Sequence, residues 1–444
     1  MPPHNEPALE GGRHRRVRSL VGYELSHEEP AVDYVDENVK LLVQEGPEAQ
    51  SSVDTTKQAK SLETASAPTK ILFLDGVRGL AAIFVMTQHS LEYMQDIDLG
   101  AISVDAFFVL SSFLLTMLFM KKSIRLLEKG ASYRKWAFTL ADYFSKRFFR
   151  VYPLFALTVI VLWMLPDGDK MQYYTLGEPE KFDLFKTLTF HSDQRHFVLW
   201  TLPVEIGYYF FIPVFVITML KMREYWWVSL FPSYAWIMYE GLYTLRWNHQ
   251  GLMLHAPTFV NGSMAAVIYV KADRWIKSNK FTFRPLHLVV IRAIESVTAM
   301  VLLSVAFKGL LFSWVHETIA PHLPGVPFVS VHLTIIIVIE MLAPSCISTT
   351  LEWNVLRYWG KISFSVYLLH GFVVYNEAIR SQPSYYDRVF ARFGLILLLA
   401  SVSYHAVERP SQVLAGYITR YLAKQEATRQ CDNVQEGLNH ERPV

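Results

Sequence analysis

Ten apolar segments of membrane-spanning length follow one another between residues 71 and 409, and no other feature constrains the fold as strongly. The hydrocarbon core of a bilayer is about 30 Å thick, so about 20 helical residues cross it. Because lipid offers the backbone no hydrogen bonds, such segments form helices. The sequence therefore predicts an all-α, polytopic integral membrane protein with about ten transmembrane helices. The segments lie near residues 71–92, 101–120, 149–166, 198–220, 225–245, 253–270, 286–306, 325–343, 358–379 and 391–409. Counts of nine or eleven stay open, since 308–320 is a further apolar stretch.

The composition agrees with a bilayer protein and argues against several other classes. Hydrophobic residues make up 52% of the 444 residues and charged residues 18%, against about 25% charged in soluble domains. The net charge of +2 does not indicate the concentrated basic face of a nucleic-acid-binding protein. Two cysteines, Cys346 and Cys431, do not make a disulfide framework or a zinc site. We therefore expect no metal and no nucleic acid as partner.

Composition also divides the chain into three parts. Residues 1–69 are rich in Glu, Ser, Thr, Gln and Pro, hold too little apolar surface to fold, and are predicted to be a disordered cytosolic tail. Residues 70–415 form the predicted transmembrane domain, and residues 416–444 a polar cytosolic C-terminal tail. The basic loops 121–148 and 271–285 place both termini in the cytosol by the positive-inside rule. With no apolar segment near Met1 that resembles a signal peptide, the endoplasmic reticulum is the expected membrane.

The first span carries an arginine and a histidine eleven residues apart, Arg78 and His89. Eleven helical steps place both on one face, about 16 Å apart along the axis. Ionisable side chains inside a membrane are costly and usually functional. His89 suits a general base, and Arg78 suits a phosphate-bearing group. Two structural interpretations stay open: Arg78 extends to the interface, and His89 is a bundle histidine whose hydrogen bonds are satisfied.

Two further segments carry charges near the membrane. Arg147 and Arg150 are three residues apart and share a helix face, as a fork for a phosphate group or as a positive-inside anchor. Glu205 lies near the outer end of the fourth span, at a depth like that of His89. A carboxylate there suits an acid–base partner of the imidazole or a structural ion pair.

The ninth span adds hydroxyl groups and a second histidine. By helical spacing, Ser363, Tyr367 and His370 lie on one face. This face indicates a polar interior, although small hydroxyl residues also promote close helix packing in lipid.

Taken together and in order, six segments resemble the acyltransferase 3 family of membrane acyltransferases. They are residues 74–82 with His89, 107–113, 147–153, 200–205, 363–370 and 408–410. The likeness extends over about residues 70–415, and the wording of the first motif is similar to the fungal branch. Two positions depart from the family: Ser112 stands where glycine is usual, and Thr201 where serine is frequent. Both are small residues, so the departures concern helix packing more than chemistry.

The resemblance implies transfer of an acyl group, with acetyl expected, from acyl-CoA to a hydroxyl group. Acyl-CoA is then a co-substrate, and no cofactor is bound permanently. In this hypothesis His89 deprotonates the acceptor hydroxyl or briefly carries the acyl group, and Glu205 orients His89 or stabilises its imidazolium. The expected donor- and substrate-binding residues are Arg78, Arg147, Arg150, Tyr152, Trp200, Ser363, Tyr367 and His370.

The acceptor and the function class leave alternatives open. Fungal members of the family are often found with secondary-metabolite pathways, and bacterial members acylate surface sugars. A small molecule such as a fungal secondary metabolite, a lipid and a cell-surface sugar are therefore all candidate acceptors. A polytopic transporter or channel would also explain buried Arg, His and Glu side chains. A non-catalytic membrane scaffold, a degenerate relative of the family, is the third class.

Overall fold

The computed structural model describes residues 71–93, 97, 99–244, 251–307, 309–318 and 328–440. Within these ranges the chain forms helices joined by turns and short loops, and it contains no strand. The predicted all-α class is therefore confirmed. The predicted disordered tail, residues 1–69, lies outside the described residues.

The α-helices of the described part are numbered in chain order. They are α1 (Leu72–His89), α2 (Leu99–Glu128), α3 (Tyr133–Met164), α4 (Asp167–Tyr174), α5 (Leu184–Leu188), α6 (Thr201–Lys221), α7 (Leu230–Tyr243), α8 (Leu252–Ser278), α9 (Pro285–Ala306), α10 (Ser313–Thr318), α11 (Phe328–Leu342), α12 (Cys346–Leu351), α13 (Asn354–Lys361), α14 (Ser363–Val374), α15 (Glu377–Arg380), α16 (Tyr385–Ser403) and α17 (Arg409–His440). A 3₁₀ turn, Phe197–Trp200, leads into α6, and a π-turn, Tyr404–Glu408, joins α16 to α17.

Five helical segments of the described part are long and apolar enough to cross a membrane. They are Ile102–Glu128, Tyr133–Met164, Phe197–Lys221, Pro285–Ala306 and Tyr385–Gln425. Large apolar side chains are exposed along them, as Leu286, Val289 and Val290 are in α9. A continuous exposed apolar face of this length suits contact with lipid and not with water. The protein is an integral membrane protein, while the count of ten spans and the sides of the termini stay predictions.

Three predicted segments differ from the observed helices in extent. The segment predicted to begin at residue 149 belongs to α3, which begins at Tyr133, because a helix continues through polar residues that hydropathy does not register. The segment 358–379 is interrupted where α13 ends and α14 begins at Ser363. The last segment continues past residue 409 into α17. Pro410 lacks an N–H, and the π-turn before it accommodates the missing helical hydrogen bond.

Helix α1 lies with its backbone directly against α12 and α13. A Cβ atom added at Gly76, Gly79 or Gly360 would collide with a backbone carbonyl oxygen of the facing helix. In lipid, helices associate through van der Waals packing, and small residues permit this close approach. The glycines of the first motif therefore seat α1 against the later helices, and with it Arg78 and His89.

The departure from the family pattern at Ser112 has a structural counterpart on the facing helix. Ser112 of α2 is buried, and its hydroxyl donates to the Val109 carbonyl at 3.1 Å. Gly262 of α8 faces it: an added Cβ would collide with Ser112 Oγ and lie 2.7 Å from the Val109 carbonyl oxygen. The space that a glycine would leave on α2 is provided here by a glycine on α8.

We expect Gly360→Ala to destabilise the protein, because its Cβ has no space beside the Asp75 carbonyl oxygen. Overpacking of this kind costs about 1–3 kcal/mol and forces backbone shifts. Thermal unfolding in detergent measures the effect as a lowered midpoint. Gly394→Ala in α16 is the matched control, because nothing lies within 4 Å of its added Cβ. Equal midpoints for the two variants would contradict the close packing of α1 on α13.

Candidate active site

The two histidines of the first and ninth predicted spans form a pair. His89 is the last residue of α1 and is half-buried, while His370 of α14 is fully buried. His89 Nδ1 lies 2.7 Å from His370 Nε2. The rings are nearly parallel, with 7° between their planes and 4.9 Å between their centroids. The pair is held by two different helices, so its geometry depends on how α1 packs against α14.

The second nitrogen of His370 is bound to the backbone of its own helix. Nδ1 lies 2.8 Å from the Tyr367 carbonyl oxygen and 3.2 Å from the Val366 carbonyl oxygen. Both ring nitrogens of His370 therefore have partners, which satisfies a fully buried imidazole. His89 uses only Nδ1 in its hydrogen bond to His370.

An aromatic residue in an unusual backbone conformation covers the pair. The ring centroid of Phe197 lies 4.9 Å from that of His89 and 5.4 Å from that of His370. Phe197 has a φ of 42°, in the left-handed region that bulky residues rarely occupy. Strain of this kind costs on the order of 1–3 kcal/mol and tends to occur at functional sites.

The segment between α3 and α6 holds this cover in place. The Tyr174 hydroxyl donates to the Leu368 carbonyl, and Gln172 Nε2 donates to the Tyr375 carbonyl at 2.7 Å. Tyr174 is completely buried and packs on Phe197, with 5.6 Å between centroids. Helix α4 is thereby attached to α14 around the histidine pair.

Glu205 does not orient His89 in the structure. Its hydrogen-bond partners among the described residues are Ser111, whose hydroxyl donates at 2.5 Å, and Tyr209, whose hydroxyl donates at 2.6 Å. Similar depth in the membrane did not imply contact, because α2 supplies a closer hydroxyl and Tyr209 lies one turn along α6. The side chain within hydrogen-bonding distance of the His89 ring is that of His370.

A second polar cluster forms around Glu408, the last residue of the π-turn. Glu408 is buried, and it accepts hydrogen bonds from Ser365 Oγ at 2.9 Å and from Gln412 Nε2 at 3.2 Å. The charges of Arg150 and Arg78 both act on this carboxylate. Guanidinium groups of α3 and α1 thus share one carboxylate as an electrostatic neighbour.

Arg147 interacts with a different set of side chains than Arg150. Its charge acts on Tyr143 and Tyr209, and the Tyr143 hydroxyl donates to the Tyr209 carbonyl at 3.2 Å. Tyr209 also contacts Glu205. The electrostatic neighbours of the two arginines thus differ, with Tyr143 and Tyr209 beside Arg147 and Glu408 beside Arg150.

Tyr152 and Trp200, two further predicted site residues, both contact aromatic rings. Tyr152 stacks on Phe148 at 4.8 Å and donates to the Leu188 carbonyl at 3.4 Å, beside the segment that follows α3. Trp200 packs on the buried His255, with 5.1 Å between ring centroids. The structure thus places both rings in aromatic packing.

Tyr367 and Ser363 lie on the same helix as His370. Tyr367 is buried, and its hydroxyl donates to the Val198 carbonyl at 3.4 Å, next to Phe197. Ser363 is buried, and its hydroxyl oxygen has no hydrogen-bond partner within the described part of the chain. The face predicted from helical spacing is therefore polar and turned inward.

The chain just beyond His89 is fixed by an ion-pair cluster. Glu92 accepts hydrogen bonds from Arg388 Nε at 3.0 Å and from Arg392 Nη2 at 2.9 Å. Burial acts to raise the pKa of Glu92, but the hydrogen bonds and charges of the two arginines outweigh it and hold the pKa below its ordinary value. Arg392 is buried in α16, so this cluster ties the end of α1 to α16.

Sequence reasoning missed Phe197 as a site residue and left Glu408 without a partner. The Glu-Arg-Pro motif at 408–410 was a signal for Glu408, since a carboxylate beside a helix-disrupting proline marks a special turn. Phe197 carried no such signal, because left-handed backbone at a phenylalanine is not read from sequence. No group of three His, Cys, Asp or Glu side chains that could hold a metal ion occurs in the described part.

Comparison with known proteins identifies the domain. The family model described as "Acyltransferase domain", of the acyltransferase 3 type, matches residues 71–404. This match includes α1 through α16 and all of the predicted site residues. No solved structure matches the chain.

Three curated relatives illustrate the breadth of the similarity. A Staphylococcus aureus protein named "Putative O-acetyltransferase" is 26% identical over 371 residues, which cover 76% of this chain and 56% of that protein. A Bacillus subtilis protein named "Putative peptidoglycan O-acetyltransferase" is 23% identical over 76% of this chain and 54% of that protein. "Protein 2 in picA locus" of Rhizobium radiobacter is 33% identical over 27% of this chain and 55% of that protein. The chain spans about half the length of these relatives.

We expect Glu92→Gln to lower thermal stability most at neutral pH and less as the pH falls. A carboxylate whose pKa is lowered by folding stabilises the native state above its unfolded pKa of about 4.3, and this stabilisation is lost on acidification. Hydrogen bonds to charged groups contribute about 1.5–3 kcal/mol. Midpoints of thermal unfolding between pH 7 and pH 3.5 measure the difference between variant and wild type. Glu178→Gln, which removes an exposed ion pair with Lys181, is the control. A pH-independent difference at Glu92 would contradict the assignment.

Proposed function

Because the chain belongs to the acyltransferase 3 family, we propose that it is a membrane O-acyltransferase that transfers an acyl group, acetyl first among them, from acyl-CoA to a hydroxyl group. The observation that carries the proposal is that α1 holds two functional side chains. His89 lies within hydrogen-bonding distance of His370, and the charge of Arg78 acts on Glu408. A guanidinium group and an imidazole that are separated along one helix suit an anionic donor whose reactive end lies far from its phosphates.

His89 carries out the proton transfer in this proposal. His89 removes the proton from the acceptor hydroxyl, and the acceptor oxygen attacks the acyl carbonyl carbon. A new C–O bond forms, the C–S bond of the thioester breaks, and the CoA thiolate takes the proton back from the imidazolium. The alternative order, in which His89 carries the acyl group before transfer, uses the same atoms. General acid–base catalysis of this type contributes about 10²–10⁴-fold to the rate.

Arg78 and Arg150 form the binding site for the acyl donor in this proposal. Arg78 and Arg150 both act electrostatically on Glu408, and guanidinium groups suit the phosphates of a CoA donor. Arg78 and His89 are about 16 Å apart along α1, a separation that the long pantetheine arm of CoA can bridge. Acyl-CoA in this proposal is a co-substrate and not a resident cofactor. The unpartnered Ser363 hydroxyl supports a ligand near the start of α14.

The acceptor is proposed by class only. The names of the relatives point to O-acetylation, and one of them to peptidoglycan. Those proteins are about twice as long as the matched region, so their acceptors do not transfer directly to this chain. We propose a small-molecule hydroxyl, with a fungal secondary metabolite as the first candidate and a lipid or cell-surface sugar as alternatives.

The arrangement in the membrane is part of the same proposal. We infer ten spans in residues 70–415, with the tails 1–69 and 416–444 in the cytosol and the endoplasmic reticulum as the membrane. The five long apolar helices and the basic loops 121–148 and 271–285 support it. Protease accessibility of tags at each terminus in sealed vesicles measures this topology, and a protected terminus would overturn it.

We expect His89→Ala to abolish turnover while the protein stays folded. Purified wild type and variant are incubated with labelled acetyl-CoA and an extract of host lipids and metabolites, and the labelled product and released CoA are measured. His191→Ala removes an exposed histidine of the segment between α3 and α6 and serves as the control. Activity retained by His89→Ala would refute the assignment of the base. Flux of a solute in vesicles without acyl-CoA, with no labelled product, would favour a transporter instead.

We expect Arg150→Ala to raise the Michaelis constant for acetyl-CoA by about 10–100-fold, because one charge-assisted contact to phosphate contributes about 1.5–3 kcal/mol. The rate at saturating acetyl-CoA changes much less, because the proposal assigns Arg150 to the donor phosphates and not to the reacting carbonyl. Arg134→Ala, an exposed position at the start of α3, is the matched control. An unchanged Michaelis constant would make Arg150 a topology anchor only.

A further inference from the structure

We propose that His370 is the positioning residue of the site: it holds His89 in the tautomer that carries its proton on Nδ1, so that Nε2 is the basic atom. The catalytic consequence rests on the proposed function, whereas the tautomer itself follows from hydrogen bonding alone. A different contact determines the tautomer of each ring.

Backbone carbonyl oxygens of α14 fix the tautomer of His370. Its Nδ1 faces the carbonyl oxygens of Tyr367 at 2.8 Å and of Val366 at 3.2 Å. A carbonyl oxygen only accepts hydrogen bonds, so Nδ1 must carry the proton. A fully buried imidazole is held in its neutral form by the cost of burying a charge, and a neutral imidazole has one N–H. His370 Nε2 is therefore a lone pair.

The tautomer of His370 in turn determines the tautomer of His89. His370 Nε2 lies 2.7 Å from His89 Nδ1. Two lone pairs at that distance repel, so His89 Nδ1 is the donor. In the neutral pair His89 Nε2 then carries the lone pair that accepts a proton from the acceptor hydroxyl.

The surrounding structure prevents the reverse arrangement. Reversing the pair would turn His370 Nδ1 into a lone pair that faces two carbonyl oxygens, and an unmade buried hydrogen bond costs about 1–3 kcal/mol. The Tyr174 hydroxyl is bound to Leu368, within the same turn of α14. Phe197 packs on both imidazole rings, which blocks a ring flip. The backbone of α14 therefore selects one direction for the hydrogen bond from His89 Nδ1 to His370 Nε2, which is called the relay below.

The relay also acts during the reaction. When Nε2 takes the proton of the acceptor hydroxyl, His89 becomes an imidazolium whose Nδ1–H still donates to the lone pair of His370. The buried acceptor stabilises this cation and keeps Nε2–H aimed at the leaving thiolate, which then takes the proton. The role is comparable to that of the buried aspartate in a Ser-His-Asp triad, with a neutral acceptor in place of a carboxylate. Glu205 has no part in it, because its hydrogen bonds go to Ser111 and Tyr209.

Two substitutions separate the acceptor from the size of the side chain. In His370→Gln the amide oxygen reaches about the position of Nε2 and still accepts from His89. In His370→Asn the amide ends near the position of Nδ1, so His89 has no acceptor. We expect His370→Asn to lower kcat by about 10²–10⁴-fold with the Michaelis constant for acetyl-CoA within about twofold of wild type, by analogy with loss of tautomer control in a triad. His370→Gln retains kcat within about tenfold.

A spectroscopic readout tests the tautomer without turnover. The full-length protein, labelled with ¹⁵N in its histidine rings and held in detergent, gives distinct signals for protonated and unprotonated ring nitrogens, and His89→Ala assigns those of His89. We expect protonated Nδ1 and unprotonated Nε2 in wild type and in His370→Gln. We expect exchange toward the other tautomer in His370→Asn.

Each outcome decides a different statement. Protonated Nε2 at His89 in wild type would overturn the positioning role. So would a His370→Asn protein that keeps both the wild-type spectrum and the wild-type kcat. The expected spectra from a wild-type protein that releases no CoA would support the relay and count against acyl transfer. A large loss of kcat in both variants with matching wild-type spectra would reject tautomer control in favour of packing.

Discussion

The close contact between the backbones of α1 and α13 is the constraint on which the rest of the site depends. Glycines at 79 and 360 leave no room for a side chain between these helices, and Gly76 packs in the same way against α12. Helices in lipid gain little from apolar burial, so such contacts decide where a helix lies. Because α1 carries both Arg78 and His89, its packing position sets the depth and direction of the two side chains on which the proposed reaction depends.

Buried charge explains why the polar groups form separate clusters. A charged side chain in a membrane must be paired, and each cluster here combines cations with a carboxylate or with hydroxyl groups. Arg78 and Arg150 meet Glu408, while Arg147 lies with the tyrosines beside Glu205. The histidine pair stands apart from both. In the proposed function, donor binding and proton transfer fall at different ends of α1, joined by a helix and not by a flexible loop.

The sequence predicted the helical membrane class and the inward-facing residues, but not their contacts. Hydropathy finds apolar segments well, yet it misplaced the start of α3 because a helix continues through polar residues outside the apolar part. Helical spacing placed Ser363, Tyr367 and His370 on one face within a single helix. The pairing of His89 with His370 joins distant parts of the chain, and spacing carries no information about it. The hydrogen bonds of Glu205 to Ser111 and Tyr209 were not foreseen for the same reason, since equal depth does not specify a neighbour.

The strained backbone of Phe197 suggests how the histidine pair keeps its properties. A phenylalanine in the left-handed region persists only where the surroundings determine it, and here α4 holds the segment through Tyr174 and Gln172. Its ring packs on both imidazoles. An aromatic ring packed on both imidazoles limits the space in which either ring can turn, so the contact between His89 Nδ1 and His370 Nε2 is held in one geometry. The strained backbone and the covering ring therefore have the same effect as the close packing of α1, because both fix the position of an imidazole at the half-buried end of that helix.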